Sequence, residues 1–147
     1  MISYSEESFE DLWPLMQDHL LAHWHEVGSF PEFKVDPDLD RAFFLQNQGG
    51  IACFAARDGE LLVGYVVDFI QFHPHYKTVK VAVCDLHYIA PEYRAKCARG
   101  LTKFVERVER EMGVYSRITR SKRANRAGDF FKAMGYNEAE VAWIKRL

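Results

Sequence analysis

The sequence predicts an α/β protein of the α+β kind. A mixed, mostly antiparallel central sheet is flanked by helices in the order (β)ααβββαβαβ. Three observations predict this. Apolar spacing changes from helical to strand-like at Gly49-Gly50 and stays strand-like to Ala90. A long amphipathic stretch then covers residues 93–112. Finally, 147 residues with 48% apolar and 27% charged side chains suit one domain, 1–147, with a core of ordinary size.

Residues 5–25 read as the first helix. Phe9, Leu12, Trp13, Met16 and Leu20 recur at helical spacing, and Ser5 or Ser8 can cap it. Pro14 conflicts with that pattern, because it removes a backbone donor, so a kink or a later start is expected there. Residues 2–4 allow one more short strand. Gly28 to Pro37 breaks the chain. Asp36-Pro37 suits the opening of a second short helix, with Leu39, Ala42, Phe43 and Leu45 on its buried side and Gly49-Gly50 ending it.

Ile51 to Arg57 reads as a strand, and Asp58-Gly59 as a hairpin turn. Leu61 to Phe72, rich in Val, Ile, Phe and Tyr, is a long strand. His73 to Tyr76 is a loop, and Thr78 to Ala90 is a third strand. In the helix over 93–112, Leu101, Phe104, Val105, Val108 and Met112 form one apolar stripe, closed by Gly113. Val114 to Thr119 is a short strand. Residues 124–134 form a helix that buries Ala127, Phe130, Phe131 and Met134. Val141 to Leu147 reads as a final strand.

Net charge is only −2, but it is unevenly spread. Residues 1–93 carry −10, residues 94–126 carry +8, and residues 127–147 are neutral. A basic third suits a polyanion and an acidic front half suits a cation, with ordinary solubilising charge as the plainer alternative. Cys53, Cys84 and Cys97 show no metal spacing and read as small core residues of a reducing cytosol. No apolar run approaches a membrane span, and the first residues lack the basic and apolar regions of a signal peptide. A cytoplasmic protein that makes no membrane contact is expected.

The stretch Ile89-Ala90-Pro91-Glu92-Tyr93-Arg94-Ala95-Lys96-Cys97-Ala98-Arg99-Gly100 reads as a strand end, a tight basic loop and a helix start. A helix N-terminus offers unpaired N–H groups and partial positive charge to phosphate. Arg94, Lys96 and Arg99 add formal charge there. Arg120-Ser121-Lys122-Arg123-Ala124-Asn125-Arg126 supplies a second basic cluster.

These residues carry a resemblance to the Gcn5-related N-acetyltransferases over nearly the whole chain. The first run resembles that family's V-x-P-x-Y-R-G-x-G-x-G. Asn125-Arg126-Ala127-Gly128-Asp129-Phe130-Phe131-Lys132-Ala133-Met134-Gly135-Tyr136 resembles its N-x-x-A-x-x-F-Y-x-x-x-G-F, with the asparagine one place displaced. The closing Trp143-Ile144-Lys145-Arg146-Leu147 is also similar. The resemblance implies acetyl-CoA as co-substrate and an amine of a small molecule, peptide or protein as acceptor, with direct attack in a ternary complex. It implies that Ile89 hydrogen-bonds the pantetheine arm. Residues Arg94, Ala95, Lys96, Cys97, Ala98, Arg99 and Gly100 would wrap the pyrophosphate, and Asn125 and Phe131 would lie near the thiol.

This chain departs from the pattern at Ala95, Cys97 and Arg99, which stand where the family has glycine. Cys97 and Arg99 crowd such a cradle unless they point away, and Gly100 can compensate through a one-residue shift. Phe131 stands where many members have a tyrosine that protonates the leaving thiolate, which phenylalanine cannot do.

Amine acetylation needs a base for the amine proton. Asp85, six residues before Pro91, is placed for that role, and two-residue alternation puts His87 on the same strand face. A structural carboxylate is the plainer reading of Asp85. Tyr88 and Tyr93 are the other nearby hydroxyls. His19 and His23 share a helix face, but no carboxylate or cysteine matches their spacing, so no metal is expected. His23, Glu26, His75 and Tyr76 are read as lining the acceptor cleft.

An acetyltransferase is therefore the first reading. The alternative is a catalytically degenerate acetyltransferase fold acting as a protein-binding module, as the lost glycines and Phe131 suggest. A nucleic-acid binder ranks last, because the basic segment lacks interleaved aromatics and a reading motif. Members of the family often pair, which makes a homodimer an option.

Overall fold

Alternating apolar side chains between Ile51 and Ile89 build three strands that pair consecutively, and the chain adds one strand to each side of them. The computed structural model describes residues 1–147. Its elements are β1 (Ile2–Glu7), α1 (Phe9–Val27), α2 (Leu39–Asn47), β2 (Ile51–Asp58), β3 (Leu61–His73), β4 (Tyr76–Ile89), a 3-10 turn (Pro91–Tyr93), α3 (Arg94–Glu111), β5 (Ser116–Ile118) and α4 (Ala127–Ala133). The sheet order is β1-β2-β3-β4-β5, antiparallel except for the parallel β4–β5 pair. This is the expected mixed α+β architecture.

Each face of the sheet buries a separate core. Cys97, Leu101 and Val105 of α3, all fully buried, pack on Phe54, Val63 and Val66. On the other face Phe9, Leu12 and Met16 of α1 pack on Ala55, Tyr65 and Tyr88. Each such side chain contributes about 1.5–3 kcal/mol of transfer free energy.

Five expectations need correction. The first helix begins at Phe9, not residue 5, because residues 2–7 pair with β2 and Ser8 is the cap, its Oγ accepting from the Asp11 N–H at 3.0 Å. The helix continues through Pro14, which lies on its exposed face. The second helix begins at Leu39, not at Pro37, because the Asp38 carboxylate accepts from the Arg41 N–H at 3.0 Å and so serves as cap.

The tight basic loop over Arg94 to Gly100 is not a loop. The 3-10 turn runs directly into α3, and the N–H groups of Tyr93 and Arg94 donate to the carbonyls of Ala90 and Pro91. Val141 to Leu147 forms no strand and is exposed throughout. The sheet ends at β5, which is only three residues long.

Two irregularities of the sheet create an opening at its β4 edge. Val67 pairs with Leu86 and Asp68 with Cys84, so Asp85 bulges out of β4. In addition, β5 pairs with β4 only over Val81–Val83. Beyond Val83 the two strands diverge, and the edge of β4 from Asp85 to Ile89 has no strand on that side.

Candidate active site

The gap between β4 and β5 opens into a cleft of roughly 2000 Å³, bounded by α1, the 28–38 segment, the start of α3, the 119–126 segment and α4. Pockets for one small ligand usually hold about 300–1000 Å³, so this cleft has room for two molecules or one long one. Its lining carries both signs. Arg94, Arg120, Lys122, Arg123 and Arg126 line it together with Glu26, Asp36, Asp38 and Asp85, and the signs meet at the Arg94–Glu26 pair and where Arg120 acts on Asp85.

Asp85 sits in the cleft because the bulge pushes it out of the ladder. Burial raises its pKa, the nearby Arg120 lowers it, and Asp68 raises it, for a net upward shift. His87 is close to Phe131, their ring centroids 5.7 Å apart. Burial, reinforced by Arg117, pushes its pKa down to about 4, so the ring is neutral near pH 7. Its Nδ1 is buried without a hydrogen-bond partner, as is Thr119 Oγ1, and both residues line the cleft. The bulge interrupts the alternation expected to put Asp85 and His87 on one face. Cys84 belongs to the α3-side core, whereas Leu86, two residues on, packs on the α1 side.

Arg94 crosses the mouth of the cleft. Its Nε donates to the Ile89 carbonyl at 3.0 Å, and its Nη2 donates to the Glu26 carboxylate at the end of α1. Lys122 reaches across similarly, donating to Ser29 Oγ at 2.6 Å. Tyr88 lies on the α1 side of the cleft, stacked among His19, His23 and Tyr65. Burial and the carboxylate of Glu26 raise its pKa.

The structure sorts the expected cofactor residues. Ile89, Arg94, Ala95, Ala98, Asn125 and Phe131 line the cleft; Lys96, Cys97, Arg99 and Gly100 do not. Cys97 points into the core, so it crowds nothing in the cleft. Gly100 answers a packing need: a Cβ there would lie 2.1 Å from the Tyr4 hydroxyl. Lys96 rests over the Tyr93 ring.

Of the expected acceptor residues, His23 and Glu26 line the cleft. His23 is nearly buried and shares a 2.9 Å hydrogen bond with the Tyr65 hydroxyl. Burial brings its pKa down to about 4. His75 and Tyr76 do not join them. They form the β3–β4 hairpin, more than ten residues from Ile89 along an extended strand.

Sequence reasoning missed a buried charge network beside the site. Asp68 receives two hydrogen bonds of 3.1 Å from Arg117, and the Arg117 Nε lies 3.4 Å from Glu109. Tyr136 joins it, donating to Glu106 at 2.9 Å. Burial and contact with Asp68 push the Glu109 pKa up to about 9, so this carboxyl is neutral. The signal was present: Glu109 interrupts the apolar stripe of α3, and Asp68 interrupts an apolar strand.

No protein-family model matches the sequence, and no curated protein does. Solved structures do match. An aminoglycoside acetyltransferase from an uncultured soil metagenomic sample superposes with a TM-score of 0.76 at 15% identity, covering 99% of this chain and 96% of its own. A ribosomal-protein-alanine N-acetyltransferase from Brucella melitensis gives 0.73 at 15% identity, covering 100% and 99%. AAC(6')-Iy, solved with a bisubstrate analogue containing coenzyme A, gives 0.76 at 15% identity, covering 100% and 98%. The chain has the fold of the Gcn5-related N-acetyltransferases.

Proposed function

We propose that this protein transfers an acetyl group from acetyl-CoA to the amine of a cationic acceptor. One observation carries the reading: the free edge of β4 opens into a large cleft lined by a cluster of cations, Arg94, Arg120, Lys122, Arg123 and Arg126, and by the carboxylates Glu26 and Asp85. The cations suit a phosphorylated co-substrate and the carboxylates an ammonium-bearing acceptor.

The residues present fit the co-substrate. Two buried polar atoms, His87 Nδ1 and Thr119 Oγ1, have no partner within the protein and belong to residues that line the cleft, as suits a ligand that brings its own amide groups. Ala95 and Ala98 leave room at the start of α3. Because the N–H groups of Tyr93 and Arg94 are already bonded, side chains take over the phosphate grip: Arg94, Arg120, Lys122 and Arg123. Ile89 offers its carbonyl along the strand edge. When bound, acetyl-CoA supplies an activated thioester.

Within this site Asp85 takes the proton from the acceptor's ammonium, and its raised pKa suits that task. His87, neutral and held against Phe131, stands on the strand beside it as the second candidate for moving a proton. The proton for the leaving thiolate comes from water or from a tyrosine, since residue 131 is phenylalanine; Tyr88 and Tyr136 both line the cleft, and the Tyr136 hydroxyl already donates to Glu106, which leaves Tyr88.

The helical geometry of residues 94–100 favours one other reading, a fold that has lost catalysis and binds a protein partner. Calorimetry with acetyl-CoA separates the two. Saturable binding, with acetyl transfer to a panel of amines from labelled acetyl-CoA, is expected; no binding heat would sink the enzyme reading. Asp85→Asn is expected to lower turnover by about 10²–10⁴-fold with acetyl-CoA affinity kept. Undiminished turnover removes Asp85 as the base.

A further inference from the structure

The Arg94–Glu26 pair links the start of α3 to the end of α1 at the cleft. Its members come from elements that share no other function: Glu26 closes α1, and Arg94 opens α3. The guanidinium is held by one carboxylate and one backbone carbonyl, that of Ile89. A carboxylate that binds a guanidinium can bind a substrate ammonium in its place. Tyr88 lies close enough for the charges of both Glu26 and Arg94 to act on it, and Trp24, Phe30 and Phe33 line the same cleft, aromatic surface that also favours a cation.

We propose that Glu26 is the docking residue for the acceptor's ammonium, and that Arg94 masks it until the co-substrate's phosphates draw Arg94 away. In the unliganded protein the guanidinium of Arg94 stands in for the substrate cation. It also covers the Ile89 carbonyl on the free edge of β4. A polyanion entering beside α3 competes with Glu26 for Arg94. Once Arg94 turns to the phosphates, the Ile89 carbonyl is uncovered for the co-substrate and Glu26 for the acceptor. The acceptor site is then complete only when the acetyl donor is in place. Lys122, held by Ser29 three residues beyond Glu26, is drawn the same way. Both members of the pair are partly exposed, at 46% and 34%, so the masking is weak enough for a phosphate to break.

This inference rests on the proposed use of acetyl-CoA and goes beyond it by assigning the acceptor subsite and its control. The test is a double-mutant cycle in coenzyme A binding, measured by calorimetry on the full chain. Glu26→Gln frees Arg94 and is expected to tighten coenzyme A binding two- to fivefold. Arg94→Gln is expected to weaken it about tenfold, and adding Glu26→Gln to Arg94→Gln is expected to change nothing further. The probe for the acceptor site is phenethylamine, a single cation with an aromatic ring. It is expected to bind wild type at least fivefold more tightly when coenzyme A is saturating, and Glu26→Gln is expected to abolish that gain.

Equal coenzyme A affinity in wild type and Glu26→Gln overturns the masking while leaving the acetyltransferase reading intact. A phenethylamine gain that survives Glu26→Gln overturns the docking role. No coenzyme A binding by any of the four proteins sinks the reading on which the inference rests. Neither side chain is buried, and thermal unfolding of each variant confirms that it folds.

Discussion

Gly100 shows how a residue can satisfy a motif for a reason unrelated to it. In the sequence it lies in a stretch that reads as a phosphate cradle. In the fold it lies on the inner side of α3, where the Tyr4 hydroxyl approaches and donates to the Cys97 carbonyl at 3.4 Å. Tyr4 cannot easily retreat, since its ring packs against Phe104 with centroids 6.1 Å apart. Gly100→Ala therefore pits better helix propensity, worth about 1 kcal/mol, against overpacking of about 1–3 kcal/mol. A net loss of stability is expected, read as a lower thermal midpoint. Adding Tyr4→Phe, which removes the obstructing hydroxyl, is expected to recover part of it. If Gly100→Ala alone unfolds at or above the wild-type midpoint, the packing account of this glycine fails. The same contrast explains Cys97, which departs from a glycine pattern at no cost to the cleft because it points into the core.

At the scale of elements, periodicity is legible where one face of a helix or strand is buried and silent where pairing is non-local. The apolar stripes of α1 and α3 and the three long strands could be read directly, because each residue's burial follows from spacing. The bulge at Asp85 could not, since it depends on how β3 and β4 align, and it undoes the simple alternation from Asp85 to His87. The 141–147 segment has an apolar run like a strand, yet it is exposed throughout and pairs with no strand of the sheet. Asp36-Pro37 looked like a helix start, yet the next acid, Asp38, makes the capping bond. For the candidate site, Asp85, Arg94 and the 120–126 cluster were visible as charge in the right order. The contacts of Arg94 with Ile89 and Glu26 were not, because they depend on how α1, β4 and α3 are brought together.

Pro14 marks the limit of the propensity argument. Packing of Leu12 and Met16 carries α1 through it, at the loss of the bond its N–H would make to the Glu10 carbonyl. Pro14→Ala is expected to raise stability by about 1–3 kcal/mol, the gain being trimmed by a looser unfolded chain. A fall in the urea midpoint would show that the proline ring makes a packing contribution instead.

For the whole molecule, three buried titratable groups set how stability depends on pH, and their signs differ. His23 and His87 have folded pKa values pushed down to about 4 by burial, against an unperturbed value near 6.5. Between those values the unfolded chain binds their protons and the native state does not, so stability falls as pH drops through that window. Glu109 acts the other way. Its folded pKa is pushed up to about 9 by burial and Asp68, well above that of an exposed glutamate. From about pH 4.5 to 9 the native state holds a proton that the unfolded chain has released, so stability falls as pH rises.

Each group contributes a slope of at most about 1.4 kcal/mol per pH unit. Below about pH 6.5 the two histidines outweigh the one glutamate, and from there to about pH 8 the glutamate dominates, so stability peaks near pH 6.5. Above about pH 8 the thiols of Cys53, Cys84 and Cys97, all pushed up by burial, add to the alkaline decline. Glu109→Gln keeps the shape and a hydrogen-bonding group facing Asp68 and Arg117 but has no proton to lose. Urea unfolding from pH 4.5 to 8 is expected to show wild type losing stability on both sides of the maximum. Glu109→Gln is expected to flatten the decline between pH 6.5 and 8 and to be more stable than wild type at pH 8, while leaving the acid side in place. An unchanged alkaline decline in that variant would mean that Glu109 is ionised in the folded protein. The Asp68–Arg117–Glu109 network would then carry a full extra negative charge behind the strand that presents Asp85.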